Sequence, residues 1–199
     1  MGIAAETSNI VLDGRNVVKG KDKAILCNKV FKENPHYDER ALIKKLEEIF
    51  QASKIIFLPT DKDGFMDHAD GMVRFINDDT VLINEYTNES SEFQLGVRLA
   101  LYNAGLKTIE LPYNPYSNSA TDDASGIYIN YLEMNGLVIA PTFKIIEDDE
   151  AIILLKEVFP TKKILSIDSS EIAKQGGILD CISWNIKSNK RRTNCTSKC

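Results

Sequence analysis

The sequence contains only two histidines, one tryptophan and four cysteines among 199 residues. The cysteines, at positions 27, 181, 195 and 199, form neither the dense framework of a disulfide-stapled domain nor a paired C-x-x-C motif. The sequence therefore offers no metal-ligand cluster. Its cysteine usage is typical of a protein in a reducing, cytoplasmic setting.

Long apolar runs and a strong charge of either sign are also lacking. No stretch reaches the length of a membrane span, and the first residues lack the basic and apolar regions of a signal peptide. The net charge of -5 gives no support for nucleic-acid binding. Because 43% of the residues are hydrophobic, we expect a globular protein with a real core and with neither nucleic acid nor membrane as a partner.

A pattern of strand, turn, strand, helix and strand occurs three times along the chain. The units are predicted at residues 9–59, 71–112 and 126–168, and a last strand at residues 178–186 begins a fourth unit. The pattern predicts strands at 9–12, 23–27, 54–58, 72–76, 80–84, 107–111, 127–132, 137–140 and 163–167, and helices at 38–52, 92–103 and 148–158. This indicates an α+β fold of ββαβ repeats in one domain at residues 1–186. The basic tail at residues 187–199 is expected to be disordered.

Cys181 is the first candidate for a chemical role. It follows the glycine pair Gly176 and Gly177 and lies in a short apolar segment. Glycines at such a place allow the backbone to approach a ligand closely. A free cysteine is nevertheless more often a buried structural residue than a nucleophile. The residues alone leave both interpretations open.

His68 and Asp70 are the next candidates, because they lie two residues apart just before a predicted strand. An extended chain there places both side chains on one face. A cysteine with a histidine and carboxylates can perform nucleophilic catalysis. A solvated Asp-Gly turn explains the same residues equally well. On the residues alone Glu6 is most simply a solvated carboxylate, and Asp13 with Gly14 indicates a turn.

Three segments together resemble the agmatine deiminase and bacterial-type peptidylarginine deiminase family. They are DHADGMVRFI at residues 67–76, YINYLEMNGLVIAPTF at residues 128–143 and GGILDCISW at residues 176–184. The segments occur in the family's order on a ββαβ background, and the resemblance covers about residues 6–186. It implies the pentein fold, an α/β-propeller of such units around a central active site. Here the resemblance implies an incomplete ring of about three units plus a final strand.

The resemblance also implies a hydrolase that converts agmatine or a related guanidine to a ureido product and ammonia, as in putrescine and polyamine biosynthesis. In this pattern Cys181 attacks the guanidinium carbon and forms a covalent thiouronium, while His68 acts as general acid and base. Asp70 binds the guanidinium nitrogens. Glu6, which stands in place of the glutamate of the family's E-G-G-N segment, pairs with His68. The expected partner is a small guanidine, and neither a cofactor nor a metal is required.

Two departures from the family keep a second hypothesis open. The family's W-x-R-D segment, which supplies a second guanidinium-binding aspartate, has no counterpart in this sequence, and Asp180 stands where relatives often have His or Asn. The alternative is a catalytically inactive pentein fragment that acts as a binding or remnant protein. An incomplete ring also exposes apolar faces, so a homo-oligomer is expected. The sequence does not distinguish agmatine from arginine or peptidyl-arginine as the substrate.

Overall fold

The structure is a computed structural model that describes residues 7–60, 68–115 and 123–183. Within these ranges no helix is both long and apolar enough to cross a lipid bilayer. Three small sheets of three strands each follow one another along the chain. The predicted α+β repeat of ββαβ units is therefore confirmed.

The first unit builds its sheet around a central strand. Its elements are β1 (Val18–Lys19), β2 (Lys23–Cys27), α1 (Lys29–Glu33), α2 (Glu39–Phe50) and β3 (Lys54–Leu58). Strand β2 lies in the middle, antiparallel to β1 and parallel to β3. Helix α2 begins after Asp38, whose carboxylate accepts hydrogen bonds from two amides of the first turn. Leu42 and Leu46, one turn apart on α2, are buried.

The second and third units repeat this topology. The second contains β4 (Val73–Phe75), β5 (Thr80–Asn84), α3 (Ser91–Asn103) and β6 (Lys107–Leu111). The third contains β7 (Leu132–Met134), β8 (Leu137–Thr142), α4 (Glu147–Val158) and β9 (Lys163–Asp168), followed by α5 (Ser170–Ala173). In each sheet the first two strands are antiparallel and the third is parallel to the second.

Two short 3-10 helices, Gly14–Asn16 and Ala69–Gly71, lie at the carboxyl ends of the central strands. The Asn16 side chain exchanges two hydrogen bonds with the backbone of Cys27, the last residue of β2. The side chain of Asn84, the last residue of β5, donates to the Gly71 carbonyl at 2.7 Å. Each 3-10 helix is thus fixed to the end of a core strand, and the two helices contact each other. A single large apolar core with members from all three units lies beneath them.

The strand predicted at residues 9–12 is wrong, because the first strand of the unit is β1. The backbone of Val11 bonds instead to the side chain of Asn34, with the Val11 amide 2.8 Å from Asn34 Oδ1 and the Val11 carbonyl 2.8 Å from Asn34 Nδ2. A side-chain amide can satisfy a peptide group as a neighbouring strand does. The apolar run therefore packs without joining a sheet.

Two further predicted strands are turns in the structure. Residues 127–131 are all buried, without the alternation of a strand, and form one isolated bridge, Tyr113 to Ile127. Residues 178–183 form turns because the amides of Asp180 and Cys181 bond to a side chain from another segment. Residues 184–186 of the predicted last strand, and the tail at residues 187–199, lie outside the described residues.

Strand β8 also extends past its predicted end at Ala140. It continues through Pro141 to Thr142, where it is paired with β9. Its pairing with β7 ends at Ile139, so Pro141 has a neighbouring strand on one side only. A residue without an amide hydrogen is tolerated at such a position.

Candidate active site

The thiol of Cys181 contacts two buried polar side chains from distant parts of the chain. Its Sγ lies 3.5 Å from Asp70 Oδ2 and 3.1 Å from Asn130 Nδ2. Asp70 belongs to the 3-10 helix before β4, and Asn130 belongs to the buried turn segment before β7. The fold thus brings Cys181 and Asp70 together, as the sequence predicts, while Asn130 is a residue that sequence reasoning missed.

Asn130 fixes the backbone at Cys181 as well as the thiol. Its Oδ1 accepts hydrogen bonds from the amides of Asp180, at 2.9 Å, and Cys181, at 3.4 Å. Its Nδ2 donates to the sulfur. Since all polar atoms of this amide are used and the residue is 4% exposed, its side chain is held in one orientation. The sequence signal for Asn130 is its place in the family-like segment at residues 128–143, where the sequence predicts a strand.

Gly177 makes room for the thiol. A Cβ atom at this position would lie 3.0 Å from the Cβ of Cys181 and 3.5 Å from its sulfur. A contact of 3.0 Å between carbon atoms is inside the usual van der Waals separation. The predicted close approach at the glycine pair is therefore an approach to the cysteine side chain itself.

His68 pairs with a carboxylate that the sequence analysis treated as part of a turn. Its Nε2 lies 2.8 Å from Asp13 Oδ2, and because a carboxylate only accepts, the imidazole N–H donates. The other oxygen of Asp13 accepts from the amide of Arg15 and caps the first 3-10 helix. Glu6, the predicted partner of His68, lies outside the described residues. No feature of the sequence separates Asp13 from an ordinary turn aspartate.

Burial and nearby charge both oppose ionisation of Cys181 and Asp70. Burial, together with the nearby charge of Asp180, raises the pKa of Asp70 to about 6. Burial and the Asp70 carboxylate raise the pKa of the Cys181 thiol, although the Asn130 N–H favours the thiolate. A cation placed between the two groups reverses both effects, because it stabilises the carboxylate and the thiolate together.

The carboxylate next to His68 behaves in the opposite way. Partial burial disfavours its charge, yet the Arg15 amide and the charges of His68 and Arg15 hold the pKa of Asp13 below its usual value. An ionised Asp13 accepts the imidazole N–H and thereby orients the ring. Among the described residues, no group of three or more His, Cys, Asp and Glu side chains is arranged to hold a metal ion.

Asp180, the residue before Cys181, forms an ion pair with Arg74. Arg74 Nη1 is 2.8 Å from Asp180 Oδ1 and 3.2 Å from the carbonyl oxygen of Tyr131. The guanidinium carbon also lies 4.7 Å from the centroid of the Tyr131 ring. Arg74 follows the second 3-10 helix on β4, and Asp180 precedes Cys181.

Both the sequence and the fold of this chain have similar counterparts among known proteins. Residues 1–186 match the model of the family described as Porphyromonas-type peptidyl-arginine deiminase. Two curated relatives are the agmatine deiminases of Pseudomonas aeruginosa (strain LESB58), 25% identical over 212 residues, and of Medicago truncatula, 26% identical over 209 residues. The alignments cover 88% and 89% of this chain but 57% and 55% of those proteins.

A solved structure of agmatine deiminase from Enterococcus faecalis has the same fold in the aligned region. The two structures superpose with a TM-score of 0.72 at 23% sequence identity, covering 88% of this chain and 57% of the other. The chain therefore spans little more than half the length of the relatives it matches.

Proposed function

The chain belongs to the Porphyromonas-type peptidyl-arginine deiminase family, and we propose that it carries the nucleophile and the acid–base residue of a guanidine deiminase. The reaction is hydrolysis of a C–N bond of agmatine to a ureido product and ammonia. The names of the relatives, agmatine deiminases from bacteria and from a plant, support agmatine over arginine or peptidyl-arginine as the substrate.

The observation that carries this proposal is the contact between the Cys181 thiol and the Asp70 carboxylate, 3.5 Å apart. Burial and nearby charge disfavour the ionised form of both groups. A guanidinium is a planar cation whose N–H groups match a carboxylate. Its binding to Asp70 favours the ionised form of both groups, so the Cys181 thiol loses its proton more readily when the substrate is bound.

In the first half of the reaction the Cys181 thiolate attacks the guanidinium carbon, and a C–S bond forms. Asp70 holds two N–H groups of the substrate and keeps the carbon within reach of the sulfur. His68, protonated and oriented by Asp13, gives its proton to the departing nitrogen. The C–N bond breaks, ammonia leaves, and a thiouronium remains on Cys181.

In the second half water replaces the sulfur. His68, now neutral, takes a proton from water, and the resulting hydroxide attacks the thiouronium carbon. The C–S bond then breaks with its electron pair returning to Cys181, and the oxygen loses its remaining proton to solvent, where ammonia takes it up, as the ureido product forms. Glu6 is proposed as a second carboxylate at His68, by its place in the family pattern.

The three ββαβ units are proposed to be consecutive units of a pentein-type propeller, within one domain at residues 1–186. The packing of α3 on β3 of the preceding unit supports this arrangement, as does the shared core. The cysteine usage supports a reducing, cytoplasmic setting. The boundary to a disordered tail at residue 187 stays a prediction.

A second candidate is binding of a guanidine without turnover. It is favoured by the coverage, since the chain spans 57% of the Pseudomonas relative, and a substrate anchor supplied by the remainder of that protein would be missing from this chain. Loss of one buried charge contact to the substrate costs on the order of 2–5 kcal/mol, which is a large loss of rate.

The experiment that separates the two is alkylation of Cys181 with iodoacetamide, followed by mass spectrometry, alongside an ammonia assay. Cys195 and Cys199 are first changed to Ser so that they do not compete, and buried Cys27 serves as the internal comparison. Cys181 is expected to react faster than Cys27. Agmatine is expected to protect it, while putrescine, which lacks the guanidine, protects less. Arginine and an arginyl peptide test the other two substrates.

Variants distinguish binding from turnover. Cys181→Ala is expected to abolish ammonia release, because it removes the nucleophile. His68→Ala is expected to keep agmatine protection but to stop ammonia release. If agmatine protects Cys181 but the chain with Cys181 and His68 intact releases no ammonia, the binding candidate is supported. Slow labelling that agmatine does not change, with no ammonia from any guanidine, rejects the deiminase proposal for this chain.

A further inference from the structure

The Arg74–Asp180 ion pair lies one residue from the proposed nucleophile and is not a participant in the proposed reaction. Its side chains are 14% and 24% exposed, which makes it the least exposed ion pair among the described residues. Exposed pairs contribute little to stability, whereas a partly buried pair with stacked geometry is restrained in position. We propose that Arg74 and Asp180 are positioning residues that hold the Cys181 backbone in place and neutralise a carboxylate that would otherwise face Asp70.

The positioning role follows from where the contacts of the pair converge. Arg74 bonds to the side chain of Asp180 and to the backbone carbonyl of Tyr131. Asn130, the neighbour of Tyr131, accepts from the amides of Asp180 and Cys181. Arg74 and Asn130 thus tie the same two segments together from two sides. Loss of either contact allows the nucleophile segment to move relative to Asp70.

The electrostatic role follows from the groups that surround Asp70. The charge of Asp180 and the thiol of Cys181 face it, and the charges of His68 and Arg15 oppose the effect of Asp180. Arg74 is the direct counter-charge of Asp180. Without Arg74, two carboxylates face each other beside the thiol. Without Asp180, the charge that raises the pKa of Asp70 is removed.

Arginine suits this place better than lysine. Its planar group contacts the Asp180 carboxylate and the Tyr131 carbonyl while it lies over the Tyr131 ring. An ammonium group supplies the charge but not the planar face that stacks on the ring. Arg74→Lys therefore separates the two roles, because it keeps the charge and loses the geometry.

The test follows two quantities in the Cys195→Ser/Cys199→Ser background. One is the titration of the Asp70 carboxyl, observed by carbon-13 NMR of labelled aspartate and assigned with Asp70→Asn. The other is the rate of Cys181 alkylation by iodoacetamide at pH 8 without agmatine. Arg98→Gln is the matched control, because Arg98 forms an exposed ion pair with Glu110 between α3 and β6.

Opposite shifts are expected from the two members of the pair. Arg74→Gln should raise the titration midpoint of Asp70, since Asp180 loses its counter-charge, and Asp180→Asn should lower it. The double variant should return toward the wild-type midpoint. Arg74→Lys should keep the midpoint and slow alkylation, and Arg98→Gln should change neither quantity. Midpoints that stay fixed or move in the same direction in both single variants overturn the electrostatic role.

The catalytic consequence of the pair rests on the proposed function, but the two NMR and alkylation measurements do not need turnover. Where ammonia release is measured, Arg74→Lys is expected to lower kcat about 100-fold with a smaller change in KM, because displacement of a catalytic group by about 1 Å has that effect. If neither the wild type nor any variant releases ammonia, the deiminase proposal is rejected. The role of the ion pair is still tested by the NMR and alkylation measurements. If the alkylation rate and kcat of Arg74→Lys equal those of the wild type, the positioning role is overturned.

Discussion

Asp70 is a carboxyl group that the folded protein holds in an unfavourable environment. It is 6% exposed, and burial with the charge of Asp180 raises its pKa to about 6, compared with about 3.9 in an unfolded chain. The native state therefore binds the proton more tightly than the unfolded state does. Below about pH 4 both states are protonated and the group contributes no penalty. The penalty grows as the pH rises from 4 to 6 and is complete above it.

Asp70→Asn is accordingly expected to stabilise the protein at neutral pH. The neutral amide avoids the penalty, which the two pKa values put at about 2–3 kcal/mol. Urea unfolding at pH 7 should show a higher midpoint for Asp70→Asn than for the wild type, and the difference should vanish near pH 4. Ammonia release should be lost in the same variant, because the guanidinium loses its anchor.

Asp79→Asn provides a control of opposite sign. Asp79 is an exposed residue whose hydrogen bond from Thr80 lowers its pKa, so its ionised form is favoured in the folded state. Replacement of Asp79 should not stabilise the protein at pH 7. A stability difference between Asp70→Asn and wild type that is the same at pH 4 and pH 7 would contradict the assignment of the penalty to the Asp70 charge.

The residues of the site were predictable to different degrees. Cys181, His68 and Asp70 stood out because a family-like segment surrounds each of them and because their residue types suit nucleophilic catalysis. Asn130 and Asp13 did not, because their function depends on contacts 51 and 55 residues away. An aspartate before a glycine has the same local pattern whether it faces water or an imidazole. Only the folded chain shows which.

The position of Cys181 depends on the buried segment at residues 127–131, because Asn130 belongs to it. Gly126 is the residue before this segment. Gly126 has φ of +82°, and a Cβ there would lie 2.2 Å from the carbonyl oxygen of Asn114. The Asn114 amide also donates to the Gly126 carbonyl at 3.2 Å. The backbone segments at Asn114 and Gly126 are thus in direct contact, and Gly126 lies four residues before Asn130.

Gly126→Ala and Gly105→Ala form a matched pair. Gly105 also has positive φ, +72°, but nothing lies within 4 Å of its Cβ position, so its replacement should cost about 1–2 kcal/mol from backbone strain alone. Gly126→Ala should cost more, because the backbone must move, and it should slow Cys181 alkylation by displacing Asn130. Urea unfolding and iodoacetamide labelling check both effects. Equal losses in the two variants would be inconsistent with the close approach.

The regular elements were predicted well because their patterns are local. Strands β2, β3, β5 and β6 have their predicted bounds, and α2, α3 and α4 begin within one residue of theirs. The predictions at residues 9–12 and 127–132 failed because a short apolar run has the same composition in a strand and in an irregular segment. Contacts that are distant in sequence decided the outcome. The Asn34 side chain bonds to the backbone at residues 9–12, and residues 127–131 are packed in the core.

Packing between units leaves one sheet face without a neighbour. Helix α3 covers β3, with Pro59 Cγ 3.1 Å from the Cβ position of Gly96, and Ile56 and Leu58 are almost fully buried. The equivalent residues of β9, judged by strand register, are Leu165 and Ile167. They are 42% and 49% exposed. No described residue plays the part of α3 for β9.

We expect this face to drive self-association of the isolated chain, because an exposed strand with apolar side chains pairs readily. Sedimentation velocity should show a weight-average mass that rises with concentration. Leu165→Glu/Ile167→Glu should shift the distribution toward the monomer at the same concentration. Leu95→Glu on α3, where the apolar side chain is also exposed, is the control and should change less. A monomer at every concentration contradicts the prediction.

The order of the contacts at Cys181 has a consequence for biosynthesis. The cysteine meets Asn130 across 51 residues and Asp70 across 111 residues, and it follows all nine strands in the chain order of the described part. Domains fold from the N-terminus as the ribosome extends the chain. The first two sheets, with Asp70, can therefore form before Cys181 leaves the ribosome, and the thiol joins a scaffold that is already partly folded. A nascent chain that stalls before Cys181 carries this part of the scaffold without the proposed nucleophile.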